Sequence, residues 1–126
     1  MVFWLLAGMA LLLVYIYSAA LIHFPSENVA DRVAGNDASP ARGIYAGRAE
    51  RARVNMLENM PIFLGLGMLS LVLDDANHAL AAQGAAVFVL ARAAYLAFYI
   101  AAIPLTRSLS YGVSLIGLGM MAWALL

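Results

Sequence analysis

Four apolar stretches alternate with polar segments along this chain, and each is long enough to cross a bilayer as a helix, for which about 20 residues suffice. The pattern predicts helices at about 2–24, 47–73, 79–103 and 107–126. We therefore expect an all-α integral membrane protein, with a single domain over residues 1–126 folded as a four-transmembrane-helix bundle.

Polar segments separate the apolar stretches. Residues 25–46 are rich in Ser, Asn, Asp, Gly and Pro, which predicts a long loop outside the hydrocarbon. The run from Asp74 to His78 predicts a short hairpin. Pro104 cannot donate a backbone hydrogen bond, so it is expected to end the third helix.

The first apolar stretch has a second interpretation, a cleaved signal peptide. Such peptides start with a positively charged segment and carry an apolar run of about 7–15 residues. Here no basic residue precedes the run, and the run is longer than that. The pattern therefore favours a transmembrane helix.

The composition agrees with a membrane protein. Of the 126 residues 65% are hydrophobic and 11% are charged, whereas soluble domains have roughly 45–50% apolar residues. The chain has no cysteine, which excludes disulfides, thiolate metal sites and a cysteine nucleophile, and no metal site is expected. Its formal net charge is zero and all 7 cationic residues are arginines, so a nucleic-acid-binding function has no support.

The arginines also predict an orientation, because basic residues near the ends of spans stay on the cytosolic side. They cluster around the first connection and after the third helix, at Arg32, Arg42, Arg48, Arg51, Arg53 and Arg107. The second connection carries only Asp74, Asp75 and His78 near it. We expect the loop 25–46 to be cytosolic and both termini to lie on the opposite side.

Each of the last three helices has a polar face near its cytosolic end. Residues three and four apart share one face of a helix. By this spacing the three faces contain Arg48, Arg51, Asn55 and Glu58 on the second helix, Arg92, Tyr95 and Tyr99 on the third, and Arg107, Ser108 and Tyr111 on the fourth.

Structural explanations exist for each face. Arg51 and Glu58 could form a ladder along the second helix, and Arg107 could be an ordinary positive-inside anchor. Arg92 lies deep enough to need a partner or water, and Glu58 is the only carboxylate at comparable depth. We expect these two to pair, and their mutual neutralisation across the bundle is the alternative to a ligand site.

The convergence of the three faces favours a binding pocket. Together they supply cations, an amide, a carboxylate and phenols at the same end of the bundle. Arginine binds both oxygens of a carboxylate with its planar fork, and Glu58 could accept a ligand ammonium. The pattern therefore predicts a site for a small ligand that carries carboxylates and an amino group.

Three segments carry a family resemblance. They are RARVNMLENMPIF at 51–63, ARAAYLAFY at 91–99 and RSLSY at 107–111. In order and spacing they resemble the MAPEG superfamily, the membrane-associated proteins in eicosanoid and glutathione metabolism, and the whole looks like the small bacterial members. The resemblance covers the chain from about Arg48 to its end.

The resemblance implies a homotrimer, in a bacterial inner membrane, with glutathione bound between subunits near the cytosolic face. Arg107 would stabilise the glutathione thiolate and Ser108 could donate to the same sulfur; a nearby cation lowers a thiol pKa from about 8.5. The residues that would bind glutathione are Arg51, Asn55, Glu58, Arg92, Tyr95, Tyr99, Arg48 and Tyr111. The acceptor would be a lipophilic small molecule that arrives through membrane lipid.

Two other function classes remain beside a glutathione-dependent transferase or peroxidase. A non-catalytic accessory subunit of a larger membrane complex would keep the same fold and ion pairs, and the glycines of the helices suit either assembly. A transporter is less favoured, because the spans show no pair of broken helices. Turnover that depends on a thiol separates the enzyme from both.

Overall fold

The chain forms a bundle of α-helices in a computed structural model, which describes residues 1–23, 44–101 and 104–126. In these ranges the helices are α1 (Val2–His23), α2 (Ile44–Val72), α3 (His78–Ile100) and α4 (Pro104–Trp123). Their ends lie within 3 residues of those that the hydrophobic pattern predicts. Most of the predicted cytosolic loop, with Arg32 and Arg42, falls outside the described residues, and residues 44–46 already belong to α2.

Pro104 begins α4 and does not end α3, contrary to the prediction. α3 ends at Ile100, with Ala101 as its cap, and Pro104 is the first residue of the next helix. The first helical position needs no backbone N–H donor, and the fixed φ of proline suits it. As a result, Arg107 lies in the first turn of α4.

The short connection between α2 and α3 is anchored at its α3 end by Asn77. The Asn77 side chain accepts a hydrogen bond of 3.0 Å from the Leu80 backbone N–H, which caps α3. The Asn77 N–H donates at 2.8 Å to the carbonyl of Ala124, just beyond α4. This connection therefore ties the start of α3 to the end of α4.

The core combines aromatic stacking with one buried tyrosine. Phe63 of α2 stacks on Phe88 of α3 with ring centroids 4.5 Å apart. Tyr15 of α1 is fully buried, and its hydroxyl donates at 2.7 Å to the backbone carbonyl of Arg92. These contacts bring α1, α2 and α3 together around the middle of α3.

The exterior of the bundle is apolar. Two helical stretches, Gly47–Val72 and His78–Ile100, are long and apolar enough to cross a membrane. Large apolar side chains such as Phe3, Val72 and Ile116 are more exposed than buried. Such a surface suits lipid or other helices better than water.

α3 packs most extensively against α4, at a point where two glycines face each other. A Cβ atom on Gly117 would lie 2.7 Å from both the Gly84 carbonyl oxygen and the Phe88 backbone nitrogen. Both obstacles are backbone atoms, so the helices would have to separate. The close approach of α3 and α4 thus depends on glycine at these positions.

Gly117→Ala is expected to lower the free energy of unfolding by roughly 1–3 kcal/mol, the usual cost of an overpacked contact. Gly112→Ala on the same helix is the control, because a Cβ there meets no atom within 4 Å. Thermal unfolding in detergent, followed by circular dichroism, measures both. Equal melting temperatures for the two variants would contradict the close packing described above.

Candidate functional site

A partly open cavity of about 280 Å³ lies where α2, α3 and α4 meet. Its lining is polar and aromatic, with two hydroxyl-bearing residue types, an amide and a guanidinium: Asn55, Tyr95, Tyr99, Arg107, Ser108 and Tyr111. The site thus draws on all three helices for which the sequence predicts a polar face. Every one of its lining residues belongs to the predicted set.

A hydrogen bond from Arg92 holds the side chain of Asn55 in place. Asn55 lies on α2 and is half-buried, and its Oδ1 accepts a hydrogen bond of 2.5 Å from Nη1 of Arg92 on α3. The Asn55 backbone carbonyl accepts a second bond, of 2.8 Å, from the side chain of Asn59. Both ends of the residue are therefore fixed.

Arg92 is fully buried and surrounded by aromatic rings. The carbon of its guanidinium lies 5.4 Å from the ring centre of Phe88, 5.5 Å from that of Tyr95 and 5.1 Å from that of Tyr111. Rings at this distance attract a cation through their negative faces. Its Nε and Nη2 have no hydrogen-bond partner within the described residues. The cation is thus only partly compensated.

Tyr99 contacts two arginines at the open side of the site. Its hydroxyl accepts a hydrogen bond of 3.2 Å from Nε of the exposed Arg51. Its ring lies 4.9 Å below the guanidinium of Arg107. One tyrosine thus contacts a cation from α2 through its hydroxyl and a cation from α4 through its ring.

The arrangement suits an anion. Arg107 lines the cavity, Arg51 lies beside it, and both are in contact with Tyr99. Arg107 stands in the first turn of α4, where the helix dipole favours negative charge nearby. The described residues contain no group of three or more His, Cys, Asp or Glu side chains that could hold a metal ion.

Comparison with known families shows which family the chain belongs to. The model of the MAPEG family matches residues 1–126, the whole chain. The chain belongs to the MAPEG family. Members of this family are membrane proteins, so this one is an integral membrane protein, in agreement with its two long apolar helical stretches.

The MAPEG match confirms the resemblance and extends it. The sequence motifs covered the chain only from about Arg48, whereas the family model also includes α1. A comparison with curated proteins finds no match. Family membership is therefore shown, and the activity has to be argued from the site.

The predicted pair of Arg92 and Glu58 does not form in this MAPEG chain. Arg92 donates to Asn55 instead, and the Glu58 side chain is exposed. Three residues advance a helix by about 300° and 4.5 Å, so Glu58 lies about 60° around α2 from Asn55. The prediction correctly placed both residues near one face but could not decide which of them meets Arg92.

The remaining predicted binding residues lie outside the lining of the cavity. Arg51 lies next to it through Tyr99, and Arg92 lies behind its wall. Arg48 is half-buried and engaged in another interaction. Glu58 is one turn from Asn55, on the exposed side of α2.

Two residues that support the site were not predicted from the sequence. Phe88 stands four residues before Arg92, so helical spacing could have indicated its contact with the guanidinium. Tyr15 lies 77 residues from Arg92 in the chain. No local pattern in α1 distinguishes it from the neighbouring apolar positions.

Asn55→Leu is expected to reduce the free energy of unfolding by roughly 1.5–3 kcal/mol, because the buried guanidinium loses its hydrogen bond to the amide. Asn55→Asp retains an acceptor for Arg92 and should stay close to wild type. Thermal unfolding in detergent compares the two. A Leu variant as stable as the Asp variant would contradict a supporting role for this bond.

Proposed function

We propose that this protein is a membrane-bound glutathione-dependent transferase or peroxidase that acts on lipophilic electrophiles. The observation that carries the proposal is the meeting of Asn55, Tyr99 and Arg107 around one cavity within a MAPEG chain. When bound, glutathione would supply the thiol that attacks the electrophile. The chain itself would bind, orient and activate that thiol.

The cavity and its edge fit a ligand with carboxylates. Arg51 lies at the edge of the cavity, and because it donates to Tyr99 through Nε, that bond leaves its two terminal nitrogens able to bind a carboxylate. Asn55, Tyr95 and Tyr111 add hydrogen-bonding groups in the interior. The exposed Glu58 is one turn further along α2 and offers an acceptor for an ammonium group.

Arg107 and Ser108 would act on the thiol. A cation close to a thiol stabilises the thiolate, which is the nucleophilic form. Arg107 also stands in the first turn of α4, where the helix dipole favours negative charge. The Tyr99 ring below its guanidinium restricts Arg107 to one region of the cavity.

The assembly is part of the proposal. We infer that all four helices span the membrane, that the bundle forms a homotrimer, and that the site faces the cytosol of a bacterial cell. The exposed apolar side chains supply surface for neighbouring subunits and for lipid. A lipophilic acceptor would approach the thiolate along such a surface, without passing through water.

Arg107→Ala is expected to lower the fraction of bound glutathione present as thiolate at pH 7 by roughly tenfold or more, as the thiol pKa returns towards about 8.5. The measurement is a titration of detergent-purified protein with glutathione, followed by the ultraviolet absorbance of the thiolate. Arg107→Lys should retain part of the signal, since it keeps the charge.

The matched control is Arg53→Ala, because Arg53 pairs with Glu50 on α2 and does not line the cavity. It should leave the thiolate signal unchanged while the oligomer, checked by size-exclusion chromatography, persists in all variants. Absence of binding by wild-type protein at millimolar glutathione would contradict the proposal and favour the accessory-subunit alternative.

A further inference from the structure

Arg92 lies behind the cavity wall, where it cannot be reached by a ligand. Its side chain is fully buried and it is not among the lining residues. It nevertheless contacts three residues that do line the cavity: it donates to Asn55 and lies against the rings of Tyr95 and Tyr111. Arg92 therefore makes no hydrogen bond to a ligand itself, and its contacts reach a ligand only through these neighbours.

The hydrogen bond between Arg92 and Asn55 can run in only one direction, from the guanidinium to the amide oxygen. A guanidinium has five N–H donors and no acceptor, so it can bind the oxygen of an amide but not its NH₂ group. Asn55 must therefore turn Oδ1 towards Arg92, as the structure shows. The other end of the amide, the Nδ2 group with its two donors, is then directed away from Arg92.

We infer that Arg92 is a positioning residue that fixes the Asn55 amide with its NH₂ group towards the cavity, so that the ligand group opposite Asn55 must be a hydrogen-bond acceptor such as a carboxylate or carbonyl oxygen. The inference rests on the proposed function for the identity of the ligand. It adds the polarity of one subsite and the residue that sets this polarity.

The buried cation prevents the Asn55 amide from rotating to suit a ligand that presents a donor. An asparagine without such a neighbour can rotate its amide and accept or donate as a ligand requires. Here rotation would place Nδ2 against the guanidinium and leave a buried charge without its hydrogen bond, which costs more than a neutral bond. A ligand that presents an N–H or ammonium group to Asn55 is therefore rejected, and one that presents an oxygen is bound.

A double-mutant cycle on the full-length protein in detergent tests the inference with glutathione as the probe. Arg92→Gln can both accept and donate, so it no longer imposes a direction, and binding should weaken by about ten- to a hundredfold. Asn55→Ala should weaken binding by a similar factor. If Arg92 acts through Asn55, adding Arg92→Gln to Asn55→Ala changes the Kd no further.

Two conservative variants separate positioning from a structural role. Arg92→Lys is again only a donor and should restore much of the affinity that Arg92→Gln loses. Asn55→Asp keeps the acceptor for Arg92 but has no NH₂ group, so it should fold and yet bind poorly. Arg53→Gln, with its contact to Glu50 outside the cavity, is the matched control and should bind like wild type.

Measuring thiol activation distinguishes the role of Arg92 from that of Arg107. Once glutathione is saturating, the thiolate absorbance per bound molecule should match wild type in the Arg92 variants, because Arg107 sets it. Independent losses from Arg92→Gln and Asn55→Ala that multiply in the double variant would overturn the inference. So would wild-type affinity in Asn55→Asp.

A second readout does not depend on glutathione. In protein labelled with ¹⁵N-asparagine, the side-chain NH₂ resonances of Asn55 are assigned by their loss in Asn55→Asp. Arg92→Gln should shift or broaden these resonances, whereas Arg53→Gln should leave them unchanged. If wild type binds no glutathione, the proposed function fails, and the resonances still decide the role of Arg92: unchanged signals in Arg92→Gln would refute it.

Discussion

A guanidinium buried among helices governs the arrangement of α2, α3 and α4. Taking an arginine out of water costs several kcal/mol unless hydrogen bonds and other contacts compensate its charge. The chain offsets this cost locally, with the Asn55 oxygen on one side of Arg92 and aromatic rings on others. Because these groups come from three helices, the offset is obtained only where the three helices meet.

The same interaction divides the site into a buried inner layer and a charged outer layer. The inner layer consists of Arg92 with Asn55, Tyr95 and Tyr111, and Tyr15 adds a hydrogen bond to the backbone of α3 at this point. The outer layer contains the charged groups at the open side of the cavity. The inner layer supports the charged groups of the outer layer and keeps them in a defined geometry.

Periodicity in the sequence predicted the helices and the three polar faces, because both depend on local spacing. It placed every lining residue of the cavity in the candidate set. It did not predict that Asn55 and not Glu58 meets Arg92, since that choice depends on the rotation of α2 against α3. Nor could it predict the first helical position of Pro104, because a proline before a helix and one after a helix look alike when both sides are apolar.

The choice of an amide opposite Arg92 carries a consequence beyond stability. A carboxylate there would also accept a hydrogen bond from the guanidinium, and the net stability of a buried ion pair is small because both charges lose their water. It would also present an acceptor to any ligand. The amide turns a donor forward, which favours a ligand group that carries an acceptor oxygen. Within the described part of the chain, the nearest acidic candidate on α2, Glu58, stands instead on the exposed side, where its charge does not cancel that of Arg92.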